Sequence, residues 1–295
     1  MSDAQGVNNG AKEIDRVGIV GGGIMGSGIA EVCARAGLAV HVVETDGIAA
    51  GGARDRIRKS LERAEAAGKE PDAKAAFERI TVTDQLNDLH GVGLVIEAIV
   101  EDRDAKIDLF SRLAGLFGDD QPILATNTSS VPIVELAAAT GELAPRVLGL
   151  HFFNPVPVMK LVEVIPSLLT DPGVMEEARR FAADVLYKEV IEAPDRAGFT
   201  VNALLIPYLL SAIRMYEQGL ATAEDIDTGM VRGCGHPMGP LRLSDLIGLD
   251  TVMSVAETLH REHRDIVFAP PPLLQRMVSA DLLGRKSGRG FFEYA

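Results

Sequence analysis

From Arg16 to about Asp195, short β-branched runs alternate with longer stretches whose apolar residues recur at helical spacing. That rhythm predicts a parallel sheet covered by helices. The expected strands are residues 17–20, 39–43, 80–83, 94–98, 123–126, 147–150, 161–165 and 189–191. Between them, helices fit residues 24–36, 49–67, 103–117, 133–139 and 172–186.

After Arg196 the strands stop, and GFTVNALLIPYLLSAIRMYEQGL carries apolar residues at helical spacing along its length. Pro207 lies inside that helix and is expected to kink it, because proline removes a backbone donor and clashes with the preceding turn. Thr222 with Asp225 resembles a helix start, and residues 241–260 and 272–280 read as further helices. The expected organisation is a loose polar tail at 1–13, an α/β domain at 14–196 and an all-helical domain at 197–295. The helical part is rich in apolar residues, so part of its surface is expected to bury against a second copy of the chain, as a homodimer.

Composition narrows the function classes. The 295 residues are 47% apolar, enough for sizeable cores, and the net charge is −13. That charge argues against a general nucleic-acid or anionic-membrane surface, so an anionic ligand must be met by a local basic patch or by backbone amides. No apolar stretch approaches the roughly 20 residues of a membrane helix, and the polar start lacks the apolar core of a signal peptide. Cys33 and Cys234 are far apart and belong to no CxxC or Cys/His ligand pattern, so a reduced, cytoplasmic, metal-free protein is the simplest reading.

The first expected strand runs into GGGIMGSG, with Gly21, Gly23 and Gly26 at GxGxxG spacing and Ile24 and Met25 opening the helix. The first glycine permits a tight turn, the second admits a pyrophosphate, and the third lets helix pack on strand. The pyrophosphate then meets the helix N-terminus, where unpaired N–H groups favour an anion. Glu44 ends the second expected strand, 18 residues beyond Gly26. It would accept hydrogen bonds from ribose hydroxyls and repel a 2′-phosphate, favouring NAD over NADP, although Asp46 competes for the same role. The N-terminal domain is therefore expected to be a Rossmann-type, doubly wound, mostly parallel sheet.

Three further segments carry candidate chemistry. GGARDRIRKSLER gathers Arg54, Arg56, Arg58, Lys59 and Arg63, which fits either a holder for a phosphorylated substrate or a solvated helix face. ATNTSS, residues 125–130, places small hydroxyl side chains at the carboxyl end of a strand, where open α/β folds bind ligands; helix capping is an equal alternative for Ser130. HFFNPVPVMKLVEV holds His151 and, twelve residues on, Glu163 between two valines. Imidazole titrates in the range needed to take a hydroxyl proton, and a buried carboxylate there would need a cationic partner. Taken singly, a hydrogen-bonded core histidine and a water-facing edge glutamate explain them equally well. Asn202 shares a helix face with Ile206, Leu209 and Ile213, and bonding to backbone or reaching substrate both fit it.

In order and spacing, VGIVGGGIMGSGIA, VIEAIVED, TNTSS, GLHFFNPVPVMKLVEVI, GFTVNALLIPYLL, EDIDTGM, GHPMGPLRLSDLIGLD and GRKSGRGFFEY closely resemble the L-3-hydroxyacyl-CoA dehydrogenase family, particularly its bacterial 3-hydroxybutyryl-CoA dehydrogenases. The resemblance implies NAD-dependent, reversible oxidation of the 3-hydroxyl of an acyl-CoA, in fatty-acid degradation or short-chain acyl metabolism. It implies His151 as general acid/base, Glu163 as its orienting carboxylate, Ser129 as a substrate hydrogen-bonder and Asn202 as completing the catalytic set. It also places Glu101 and Lys106 near the cofactor ribose and the CoA portion, Asn127 and Asn154 beside the cofactor, and Ser60 on CoA. The lysine that some members carry seven residues after that serine is Ala67 here, with Lys69 two places on. Two alternatives stand beside this reading: a dehydrogenase of a free hydroxy acid or sugar acid, and a catalytically silent NAD-binding protein.

Overall fold

The computed structural model describes residues 14–118 and 120–294; the expected loose tail lies outside them. The chain divides into a unit ending at Asp195 and one starting at Arg196, one residue before the expected boundary.

In the first unit the chain runs β1 Arg16–Val20, α1 Ile24–Arg35, β2 Ala39–Val43, α2 Gly47–Ala66, α3 Ala73–Glu78, β3 Ile80–Thr83, β4 Leu94–Glu97, α4 Arg103–Phe117, β5 Ile123–Thr126, α5 Ile133–Ala138, β6 Val147–Phe152, β7 Leu161–Pro166, α6 Pro172–Arg180 and β8 Glu189–Glu192. All eight expected strands are present. The short helix α3 was not expected; Asp72 caps it by accepting from the Ala75 amide at 2.8 Å. At its end α6 passes into a wider π-turn over Phe181–Val185.

The strands form one sheet in the order β3-β2-β1-β4-β5-β6-β7-β8. The first six are parallel, the doubly wound arrangement in which ligands bind beyond the carboxyl ends of the strands near the reversal, here between β1 and β4. β7 departs from this direction. It pairs antiparallel with β6, in a register that sets His151 directly opposite Glu163, and β8 then runs parallel to β7. Directly opposite residues point to the same sheet face, so this register decides that the two side chains meet. Beneath the site lie fully buried residues such as Ile19, Ile96, Leu148 and Val162, which hold the strand ends rigid.

The second unit holds α7 Val201–Glu217, α8 Ala223–Thr228, α9 Pro240–Ile247, α10 Leu249–His263 and α11 Pro272–Ser279. Thr222 caps α8 as expected, accepting from the Asp225 amide. The segment expected as one helix over 241–260 is two, divided at Gly248, whose φ of 101° only glycine adopts readily. Leu209, Leu210, Ile213, Leu249, Val252 and Leu259 form the core of this unit, and its β structure among the described residues consists of isolated bridges at Gly284, Arg289 and Glu293. No helix among the described residues is long and apolar enough to cross a membrane.

Candidate active site

The glycine turn after β1 has the geometry of a dinucleotide cradle. Gly21 sits at φ 95°, and a Cβ there would press on the Ala98 backbone. A Cβ on Gly26 would overlap the Gly21 carbonyl, so the close approach of α1 to the turn requires glycine. Gly23 faces open space and begins α1 without any capping side chain, which leaves the first-turn amides of Ile24 and Met25 to meet an anion. Ser27 braces the turn by donating to the Gly22 carbonyl at 2.7 Å, and the Arg56 guanidinium donates to the same oxygen at 2.9 Å.

Beside the turn lies a cavity of about 570 Å³, lined by Gly21, Gly23, Glu44, Asp84, Leu86 and Arg112 among others. Glu44 accepts from the Gly22 amide at 2.7 Å, which fixes its carboxylate against the cradle. Asp46 is committed elsewhere: it caps α2, accepting from the Ile48 and Ala49 amides, and the Ala49 bond leads in holding its carboxyl below the usual range. These residues fit NAD: the Glu44 carboxylate lies against the cradle, whereas that of Asp46 is spent on the helix cap.

At the end of β6, His151 is 6% exposed and Glu163 fully buried. Their Nδ1 and Oε2 lie 2.7 Å apart, so the pairing that the sequence left open is formed. Glu163 is on an interior strand, which removes the water-facing edge reading. The Phe153 ring meets the imidazole edge-on, 4.6 Å between centroids, and the Asn127 side-chain oxygen accepts from the Phe152 amide at 2.8 Å. Asn127 thereby ties the loop after β5 to the strand carrying the histidine, while Asn154 stands exposed in the loop after β6.

The Thr128–Ser130 loop is organised by Glu101. Its Oε1 accepts from Thr128 Oγ1 at 2.6 Å, the Ser129 amide at 2.8 Å, Ser130 Oγ at 2.8 Å and Ser129 Oγ at 3.2 Å. Burial alone would raise this carboxyl, but the Lys106 ammonium and the loop's donors outweigh it and hold the group below its usual range. Ser130 therefore does not cap the following helix; Asp195 does, accepting from the Ile133 and Val134 amides at 2.8 and 2.9 Å.

Lys106 lies beneath this loop. It is 1% exposed, with its ammonium 2.5 Å from Glu97 and 3.1 Å from Glu101, so its charge is presented to two carboxylates. The basic run on α2 divides. Arg56, Lys59 and Arg63, with Glu62 among them, line one groove of about 460 Å³, and half-buried Ser60 is on the same helix. Arg54 instead stacks over Phe77, and Arg58 pairs with Asp55. Ala67 ends α2, and Lys69 stands exposed just beyond it. Asn202 is half-buried in the first turn of α7, in the second unit.

Sequence reasoning passed over Glu97 and Arg56 as individual residues. The signal for Glu97 is a charged residue closing the apolar run LVIE; for Arg56 the sequence carries none, since its partners lie 29 and 34 residues away.

Comparison with known proteins agrees with this architecture. Residues 16–196 match the family profile described as 3-hydroxyacyl-CoA dehydrogenase, NAD binding domain, and residues 198–294 match the 3-hydroxyacyl-CoA dehydrogenase C-terminal domain. A protein of Mycobacterium tuberculosis named 3-hydroxybutyryl-CoA dehydrogenase is 54% identical over 95% of this chain and 99% of its own length. The human mitochondrial hydroxyacyl-coenzyme A dehydrogenase is 42% identical over 95% of this chain and 91% of its own. The crystal structure of (S)-3-hydroxybutyryl-CoA dehydrogenase PaaH1 from Ralstonia eutropha superimposes with a TM-score of 0.89 at 41% identity, covering 96% of this chain and all of that one.

Proposed function

Because the chain belongs to the 3-hydroxyacyl-CoA dehydrogenase family and is an NAD-dependent oxidoreductase, we propose that it interconverts short-chain (S)-3-hydroxyacyl-CoA and 3-ketoacyl-CoA with His151 as general acid/base. The observation that carries the reading is the His151–Glu163 pair, 2.7 Å apart across β6 and β7, on the carboxyl-end edge that also bears the glycine turn. Bound NAD supplies the acceptor for the hydride that leaves C3.

Every other step falls to the protein. His151 takes the 3-hydroxyl proton through Nε2, because Nδ1 is directed at Glu163. Glu163, a positioning residue, fixes the ring and balances the imidazolium through a charge-assisted bond. Ser129 hydrogen-bonds the substrate oxygen, and in reverse His151 returns the proton to the ketone. Gly21, Gly23, Ile24, Met25 and Gly26 hold the pyrophosphate, Glu44 the adenine ribose, and Asn127, Glu101 and Asn154 belong to the nicotinamide side. The groove of Arg56, Lys59 and Arg63 beside Ser60 takes the CoA phosphates. The short acyl chain rests on the 54% identity to a protein of that name.

The test is NADH absorbance with a series of 3-ketoacyl-CoA substrates from acetoacetyl-CoA upward, run beside free acetoacetate and beside NADPH. Fastest turnover with acetoacetyl-CoA and NADH is expected. Equal rates on the free acid would replace the reading with a hydroxy-acid dehydrogenase, and no NADH oxidation with any substrate would leave a silent NAD-binding protein.

A homodimer is part of the proposal, as is a cytoplasmic location, for which the two free cysteines argue. Leu204, Met215, Tyr216, Leu220 and Ile266 stand exposed on the helical unit, and a second copy would cover them. Light scattering is expected to give twice the 31.4 kDa chain mass, and a monomer at micromolar concentration would remove the dimer.

A further inference from the structure

Under the Thr128–Ser130 loop lies a chain of charged groups of which the proposed mechanism uses only Glu101. Glu97 is the last residue of β4 and fully buried. Its Oε1 accepts from the Ile99 amide at 2.8 Å and from Lys106 Nζ at 2.5 Å, and its Oε2 accepts from Thr126 Oγ1 at 2.6 Å. Thr126 is its register partner on β5, so sheet pairing itself aims that hydroxyl at the carboxylate. Thr126 Oγ1 in turn accepts from the Thr128 amide at 3.1 Å. Beyond Lys106 comes Glu101, gripped at Oε2 by the ammonium and at Oε1 by the loop.

We propose that Glu97 is a positioning residue for the oxidoreductase reaction, anchoring Lys106 so that Glu101 holds the Ser129 backbone, and with it the hydroxyl, in place for the substrate oxygen. The inference rests on the assignment of Ser129 as a substrate-contacting group in the reading above. A carboxylate is planar and rigid, so a shift of the ammonium at Oε2 of Glu101 swings Oε1 and carries Ser129 with it. Glu97 and Thr126 prevent that shift because both belong to the sheet. The bonds to Oε1 are also unequal. Ser129 Oγ makes the longest, 3.2 Å, while its amide is held at 2.8 Å. A substrate oxygen therefore displaces the weakest bond of the set and leaves the loop where it is.

The experiment is a double-substitution cycle of Glu97→Gln and Ser129→Ala, read as kcat and KM with acetoacetyl-CoA, NADH affinity and unfolding midpoint. Glu97→Gln is expected to lower kcat about tenfold, the loss falling far more on kcat than on NADH affinity, since misplacing a reacting partner by a fraction of an ångström chiefly costs rate. In the Ser129→Ala background the same change should lower kcat by less than about twofold, because coupled residues are non-additive. Wild-type kcat in Glu97→Gln overturns the proposal, and so does a tenfold loss that persists without the Ser129 hydroxyl, which would mean that Glu97 acts through the fold. Wild-type kcat in Ser129→Ala removes the Ser129 assignment and this proposal with it, while the His151 chemistry is judged by its own variant. If Glu97→Gln yields no folded protein, Thr126→Val takes its place in the cycle, with the same non-additivity expected.

Discussion

Replacing His151 with alanine is expected to lower kcat by about 10²–10⁴-fold, the range a positioned general acid/base contributes. NADH affinity should stay close to the wild-type value, because the turn after β1 and Glu44 hold the pyrophosphate and ribose, while the imidazole is bonded to Glu163. Fluorescence titration of NADH beside steady-state rates on acetoacetyl-CoA separates the two quantities. The companion change Glu163→Gln divides orientation from charge. A glutamine oxygen can still accept from Nδ1, but it cannot balance an imidazolium, so an intermediate loss of about 10–100-fold in kcat is expected. A His151→Ala protein, folded by circular dichroism, that turned over at near the wild-type rate would eliminate His151 as the proton-transfer group. If Glu163→Gln were indistinguishable from wild type, the ring would need no anion.

How far the sequence reached depends on the range of the interaction in question. The strand and helix pattern was readable because burial imposes periodicity locally, and the cradle because each glycine has a steric task within a few residues. His151 and Glu163 were readable as candidates only. Their meeting depends on an antiparallel register between β6 and β7, and a slip of one residue would have put the two side chains on opposite faces. Helix α3 has six residues, too few to display a period, and the break at Gly248 shows only once its φ of 101° is known. Asp195 caps a helix more than 60 residues earlier in the chain, so Ser130, the local candidate, was the natural expectation. The burial of Lys106 was illegible for a related reason: the two carboxylates that enclose it become visible only when β4 and α4 are packed together.

That enclosure makes Lys106→Met the substitution with the largest expected cost in stability. Methionine keeps much of the aliphatic volume, so the packing against the sheet survives, but the buried Glu97 carboxylate loses its cation. Removing one partner of a buried pair typically costs about 3–5 kcal/mol, because the remaining charge cannot regain water. For a unit of this size that corresponds to a fall of roughly 6–20 °C in unfolding temperature, measurable by calorimetry. Two controls separate this cause from general disruption. Adding Glu97→Gln to Lys106→Met removes the stranded charge and should recover a large part of the loss; no recovery would show that packing and not charge was at fault. The second control is pH. Glu101 is held below its ordinary 4.5, against the pull of burial, by Lys106 and the loop donors. A lowered folded-state value stabilises the fold above 4.5, and that stabilisation is lost as pH falls through the lower folded value. Lys106→Met forfeits the ammonium's share of it at neutral pH, so the gap between wild type and variant should narrow on acidification. A gap that stayed constant or widened would mean that Lys106 is not what keeps Glu101 ionised beneath the serine loop.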